Sequence, residues 1–331
     1  MNRRDAVFAL PALVAAAIAA LPASSFAQKP AGIPRVGILI LASLSSVTAI
    51  IDAFRAGLRD LGYVEGRNIS IEVLSADGNA DRLPELAAQL VARKVDIIIA
   101  GGGNVSTIAA RKATATIPIV MTSSYSAVES GLVQSLGRPG GNVTGLTIPQ
   151  ELGLKQIQVL QEMIPTLSHI AILSRHDVAR SEARAQSMAM AQQMLGIKLQ
   201  MFEAHSPEDM ARTLEAMRAA KPGALIVSPD PLMYQQREQI LRFTRAARIA
   251  DMYAAPDIVD AGGLVAYTVS PQENQRGVAR FVDRLLKGAK PADLPVEQPT
   301  TFEMVINLKT AKSLGLKIPQ AVLLRADRVI E

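Results

Sequence analysis

Apolar and polar positions alternate along this chain in two textures. Unbroken apolar runs, as at Arg35–Leu41 and Asp96–Ala100, predict strands buried on both faces of a parallel sheet. Between them, apolar residues recur at helical spacing. Ile50, Ile51, Phe54, Leu58 and Leu61 predict a helix over 49–61, with Gly62 closing it. The same logic predicts strands at 69–74 and 117–121, helices at 82–92 and 105–113, and a short helix at 131–136. A second block repeats the alternation. Helices are predicted at 155–164, 181–195, 235–247 and 274–287, with another opened by Ser206 and Pro207. Strands are predicted at 170–173, 198–202, 224–227, 251–253 and 264–269. Strands alternating with helices of this length make an α/β fold of two similar doubly wound lobes, each a parallel sheet with helices on both faces. Gly/Pro-rich 138–145 and the strand end at Val269–Ser270 are the candidate linkers.

The first 27 residues break this pattern. Arg3 and Arg4 precede an Ala/Leu/Val-rich run from Ala6 to Leu21, and Ser25 and Ala27 stand at the −3 and −1 positions of a cut. We expect a signal peptide over 1–27 and a mature chain beginning at Gln28, free in the periplasm. A retained membrane anchor is the alternative, opposed by Pro11, the Ala-rich run and the cleavage-like site. The export route, general or twin-arginine, stays open.

Composition removes several functions. With no cysteine, disulfides, thiolate catalysis and Cys-ligated zinc are excluded. Aromatic residues are 4% and tryptophan is absent, a poor basis for stacking nucleotides or sugars. The net charge of +5 is dispersed among acidic residues with no basic tract, so no nucleic-acid partner is expected. Gly101–Ser106 resembles part of a dinucleotide fingerprint, but follows the third strand and lacks its last glycine. No phosphate loop, nucleophile elbow or zinc-binding helix motif is present. His169, His176 and His205 are the only histidines; His176 alone follows a strand end, and a solvated loop is its ordinary place. Met188, Met190 and Met194 read as core and surface filler. We expect neither a cofactor nor a metal, and a protein that binds rather than catalyses.

Open α/β sheets bind ligands at the carboxyl ends of their strands. There the first block offers Ser43, Ser45 and Ser46, which either meet an anion or only cap the following helix. It also offers Gly102, where a ligand can approach the backbone closely, and Asn104 and Ser106 with donors and acceptors. Ser123 and Ser124 suit a carboxylate; Tyr125 suits either an apolar wall or packing between lobes. The second block offers Arg175 for a carboxylate, with Asp177, Asp230 and Asp257 as anions. A solvated loop charge is the alternative for each. Tyr267 sits near the second linker, to touch a ligand or only to pack.

Four segments carry a resemblance: Gly131–Gly145, Gly262–Tyr267, Leu286–Pro299 and Ile306–Pro319. In order and spacing they resemble the substrate-binding proteins of ABC transporters, in the group with tryptophan-binding TrpX-like lipoproteins. The resemblance implies a type I periplasmic-binding-protein fold, its two lobes joined by a multi-strand hinge. The expected lobes are 33–146 with 270–293, and 147–269 with 294–331. Two departures stand out. Ser126–Ala127 replaces an Asp-Pro common in the group, and the lipidated cysteine of some members is missing. The resemblance implies a monomer clamping a small molecule, an amino acid or related carboxylate, for a permease of the inner membrane. A sensory module presenting the solute to a membrane kinase or chemoreceptor is the alternative function.

Overall fold

The computed structural model describes residues 32–149, 151–175 and 181–331. The expected signal peptide, its cleavage site, His176 and Asp177 lie outside the described residues. Along the first block run β1 (Arg35–Ile40), α1 (Leu44–Asp60), β2 (Ser70–Ser75), α2 (Leu83–Ala92), β3 (Ile97–Gly101), α3 (Asn104–Ala113), β4 (Ile119–Tyr125) and β5 (Val143–Ile148). These strands make a five-stranded sheet, ordered β2-β1-β3-β4-β5 and parallel throughout. The buried aliphatic strands predicted from the sequence form its centre: Val36, Leu39, Ile98 and Val120 are fully enclosed.

The second block contains α4 (Glu151–Met163), β6 (His169–Arg175), α5 (Ser181–Leu195), β7 (Lys198–Ala204), α6 (Pro207–Ala220) and β8 (Ala224–Val227). It continues through α7 (Pro231–Gln235), α8 (Arg237–Ala247), β9 (Ala250–Tyr253), α9 (Pro256–Asp260) and β10 (Val265–Val269). The chain then runs through α10 (Pro271–Leu286), β11 (Phe302–Asn307), α11 (Leu308–Leu314), α12 (Gln320–Leu323) and β12 (Arg328–Ile330). Its seven-stranded sheet is ordered β12-β11-β10-β9-β8-β6-β7.

The two sheets differ more than the sequence suggests. Among the described residues the second has two more strands, and β11 runs antiparallel to β10. Both extra strands come from the C-terminal stretch, whose short apolar runs lack a long helix between them.

Three local expectations are corrected. The segment 138–145 is not simply a linker, because β5 begins at Val143 and pairs with β4. Gly145 is required there: its φ is +124°, and a Cβ would overlap the Met121 backbone. The helix expected at 131–136 is a turn and irregular chain. Its backbone is paired elsewhere, Gln134 N–H donating to Pro139 O and Leu136 O accepting from Val296 N–H, at 3.0 and 2.7 Å. The helix expected over 235–247 starts two residues later as α8, and a separate short helix, α7, precedes it across Gln236.

Residues 33–331 cluster as one compact unit. The chain passes from the first sheet to the second between β5 and α4, returns between β10 and α10, and crosses again before β11. On its return α10 packs against α1, with Phe281, Val278 and Val282 joining Phe54 and Leu58 in a dry cluster. Gly57 admits this approach, since a Cβ there already lies 3.1 Å from Ala279 Cβ. At the third crossing Glu297 lies beside β5: Thr147 N–H donates to Glu297 O and Glu297 N–H to Gly145 O, both at 3.0 Å. Ile148, Leu152 and Val269, with Tyr125, Tyr267 and Phe302, form an apolar knot where these crossings meet.

Candidate functional site

Parallel pairing puts the carboxyl ends of β1, β3, β4 and β5 on one edge of the first sheet. It puts those of β6, β8, β9 and β10 on one edge of the second. The cleft between these edges is the candidate site.

On the first edge, α1 starts five residues earlier than expected, which alters the serines. Ser43 is the residue before the helix, while Ser45 and Ser46 lie inside its first turn. None caps through its side chain. Ser46 Oγ donates to Ser43 O at 2.8 Å, and the Ser43 hydroxyl lies 3.2 Å from both the Ser45 and Ser46 hydroxyls. The first turns of α1 and α3 carry no acidic residue, so their N-terminal dipoles are not neutralised locally.

Gly102 is tight against protein: a Cβ there would approach Leu41 Cβ at 2.8 Å. Asn104 does not precede its helix as a free donor and acceptor. It opens α3, is 5% exposed, and clamps the end of β4. Its amide donates to Tyr125 O at 3.0 Å and Ser130 Oγ at 2.7 Å, and its oxygen accepts from Tyr125 N–H at 2.9 Å. Ser123, Ser124 and Tyr125 belong to β4, which ends four residues later than expected. Ser123 is half-buried; Ser124 is wholly buried with its hydroxyl unpartnered. Tyr125 packs into the apolar knot at the crossings.

On the second edge, Arg175 is exposed at the end of β6. Asp230 is half-buried and caps α7, accepting from Leu232 N–H at 2.8 Å. Asp257 lies exposed in the first turn of α9 and accepts a hydrogen bond from the Tyr234 hydroxyl. Burial, then the adjacent Asp257, raises the Tyr234 pKa to about 12, so this phenol stays a donor at neutral pH. Arg237 stacks over the Tyr234 ring at 4.7 Å. Tyr267 stacks on Phe302, ring centroids 5.6 Å apart, and its carbonyl accepts from Gln156 Nε2 at 2.8 Å. The structure thus puts Tyr267 in the packing of the crossings.

Other residues at these edges escaped sequence reasoning. Leu44, Val105 and Val128, at the starts of α1 and α3 and in the turn after β4, are 46, 44 and 38% exposed. Apolar groups left open at this edge are visible only once the helices are placed. Tyr234 and Gln235 follow Asp230–Pro231, a cap-and-proline signature that marks a helix start and flags α7. Asn274 is buried on α10, donates to Thr122 O at 3.0 Å, and has its carbonyl oxygen unpartnered. Two open grooves lie elsewhere, one of about 480 Å³ along α11 and one of about 150 Å³ between α10 and 297–301. Neither is where strand ends converge. Among the described residues no cluster of His, Asp and Glu is arranged for a metal, and no helix is long and apolar enough to cross a membrane.

Residues 35–330 match the family described as ABC transporter substrate binding protein. The chain belongs to that family. A tyrosine-binding protein of Clostridioides difficile (strain R20291) is 24% identical over 282 residues, covering 85% of this chain and 81% of the relative. The ABC domain from Streptococcus pneumonia, solved in complex with L-Trp, is 25% identical. That comparison covers 90% of this chain and 100% of the other, with a TM-score of 0.83. A leucine-binding protein, LivK, from Thermotoga maritima shares the fold at 15% identity and a TM-score of 0.54, over 79% of this chain and 78% of its own. This substrate-binding protein therefore has the two-lobe α/β architecture of type I periplasmic binding proteins. Its relatives bind substrates rather than transform them, in agreement with a sequence that lacks a catalytic constellation.

Proposed function

We propose that this protein is the periplasmic receptor of an ABC importer, exported by a cleaved signal peptide, and that its ligand is an amino acid with a large apolar side chain. The observation that carries the reading is the family match over residues 35–330. The amino-acid class is supported by relatives that bind tyrosine and tryptophan. In this reading residues 33–146 and 270–293 form one lobe, 147–269 and 294–331 the other, and the monomer closes on its ligand. The acid-free N-termini of α1 and α3, with Ser45 and Ser123, receive the carboxylate. Asp230, half-buried at the start of α7 and at the carboxyl end of β8, receives the ammonium. Leu44, Val105 and Val128 offer apolar surface to the side chain. The closed form is then presented to a membrane permease.

The test is mass spectrometry of small molecules released from gently purified protein, followed by calorimetric titration with L-tryptophan, L-tyrosine and L-leucine. Micromolar or tighter binding of one of these is expected. A released ligand without an amino group, with no heat from any of the three, overturns the amino-acid assignment.

A further inference from the structure

The cleft-side end of β4 departs from regular pairing. Met121 pairs with Gly145 and Ser124 with Thr147, so between these pairs β4 spends one residue more than β5. Thr122 and Ser123 together oppose Leu146, a β-bulge that leaves one residue without a partner in the ladder. The extra residue decides what each side chain faces. In regular register Ser123 would stand opposite the buried Thr147, and Ser124 opposite Ile148. With the bulge, wholly buried Ser124 takes the place opposite Thr147, and Tyr125 pairs with Ile148 and joins it in the apolar knot. Ser123 is left half-buried at the cleft edge. A side chain from another part of the chain holds this arrangement. Asn274, buried on α10, donates from Nδ2 to the carbonyl of Thr122, itself buried, at 3.0 Å. Asn274 stands one turn into α10, its N–H bonded to Ser270 O at 2.9 Å, and Ser270 N–H donates to Thr301 O at 3.0 Å. The bulge is therefore fastened to the helix that begins at the second crossing.

We propose that Asn274 is a positioning residue for the ligand: by holding the Thr122 carbonyl it keeps the extra residue of β4 in the bulge, and so keeps the Ser123 hydroxyl at the cleft. The inference rests on the reading in which Ser123 receives the ligand's carboxylate, and adds to it the residue that aims this donor. Without Nδ2, a buried carbonyl loses its partner where the ladder is already interrupted. Regular pairing then recovers a bond for the strand, and it turns residue 123 toward Thr147 and away from the cleft.

The chain has no cysteine, so Ser123→Cys carries the only thiol of the full exported chain. Its rate of reaction with a small charged methanethiosulfonate reads how open residue 123 is. Adding Asn274→Ala should slow this reaction at least about fivefold, as residue 123 turns inward. Asn274→Leu, which fills similar space without a donor, should do the same and guards against an alanine variant that fails to fold. Thr144→Val is the control. It removes a comparable buried bond from β5, Thr144 Oγ1 to Leu294 O at 2.8 Å, and should leave the rate within about twofold. Equal rates with and without Asn274 overturn the proposal. So does a rate that rises as the melting temperature falls, which reports general loosening. Calorimetry with L-tryptophan and L-tyrosine adds a second arm. Asn274→Ala should weaken binding about tenfold, as Ser123→Ala does, and the double variant should bind within about threefold of Ser123→Ala. Losses that multiply in the double variant overturn the route through Ser123. If Ser123→Ala binds like wild type, or wild type binds neither amino acid, the ligand reading fails, and the thiol rates still decide whether Asn274 sets the bulge.

Discussion

Two buried polar side chains carry more consequence than the exposed charges around them. Asn104 divides its amide between the end of β4 and Ser130; cutting it to alanine removes the acceptor of the Tyr125 N–H, while the Tyr125 carbonyl keeps Ser130 Oγ as a donor at 3.3 Å. At about 1–3 kcal/mol for a buried group that loses its partner, Asn104→Ala should lower stability by about that amount. A denaturant titration of the exported chain measures this; a change below about 1 kcal/mol would mean that water replaces the clamp. Asp251 is the second case. It is buried, and accepts from Leu264 N–H at 2.7 Å, Thr244 Oγ1 at 2.6 Å and the Tyr253 hydroxyl at 2.9 Å. Burial pushes its pKa up, although those three bonds pull the other way. A raised folded pKa means that the native state holds this proton where the unfolded chain, near 3.9, has released it. Its stabilising contribution is full below the unfolded value and is lost as pH rises through the folded one. The melting-temperature difference between wild type and Asp251→Asn should therefore shift in favour of wild type as pH falls from neutral toward 4. A difference independent of pH would show that Asp251 titrates normally.

Among the elements, Gly145 and α7 are the informative ones. Gly145 leads β5 past the Met121 backbone, and no neighbouring side chain can move aside to admit a Cβ. Gly145→Ala should break β4–β5 pairing and leave little soluble protein, whereas Gly141→Ala, with open space around it, should express normally. Soluble yield and circular dichroism compare the two. In α7, Asp230 has a capping role that is observed and a ligand role that is proposed, and two variants separate them. Asp230→Ala loses both, costing about 1 kcal/mol of stability through the cap. Asp230→Ser keeps a capping oxygen but no charge, so it should melt near wild type while losing at least tenfold in affinity, about 1.4 kcal/mol. Equal affinity for Asp230→Ser and wild type would move the ammonium site to Asp257. These elements also mark what was legible in the sequence. The central strands were, because an aliphatic run such as 96–100 has no other stable place than a sheet covered on both faces. β5 was not, because the glycine that reads as a linker is there to pass another backbone. Asn104 stood out as a site residue from its position alone. That its amide faces Tyr125 depends on a contact 21 positions away, which no local pattern encodes. The apolar edge at Leu44, Val105 and Val128 likewise exists only after three separate segments are brought to one side of the sheet.

At the scale of the whole molecule, the question is what holds the lobes at their observed separation. Along the crossings, Glu297 pairs with Arg284 at 3.0 Å and approaches Arg280 at 4.0 Å. All three are roughly a third to a half exposed, and such pairs contribute about 0–1 kcal/mol each. The backbone bonds of Glu297 to Gly145 and Thr147 do not depend on its charge, and the apolar knot around Ile148 and Val269 is dry. The crossings should therefore be insensitive to salt, and the open–closed balance should be set in the cleft. A ligand shifts that balance only by its differential affinity: moving it from 1:99 to 99:1 takes about 10⁴-fold tighter binding to the closed form. X-ray scattering on the exported chain, titrated with L-tryptophan or L-tyrosine at low and high salt, reads both statements at once. The radius of gyration should fall on binding, and the ligand-free value should not change with salt. For Glu297→Gln the same two curves should superimpose on wild type. A ligand-free radius that grows with salt, and grows less in Glu297→Gln, would instead assign the closing force to the Glu297–Arg284 pair and take it out of the cleft.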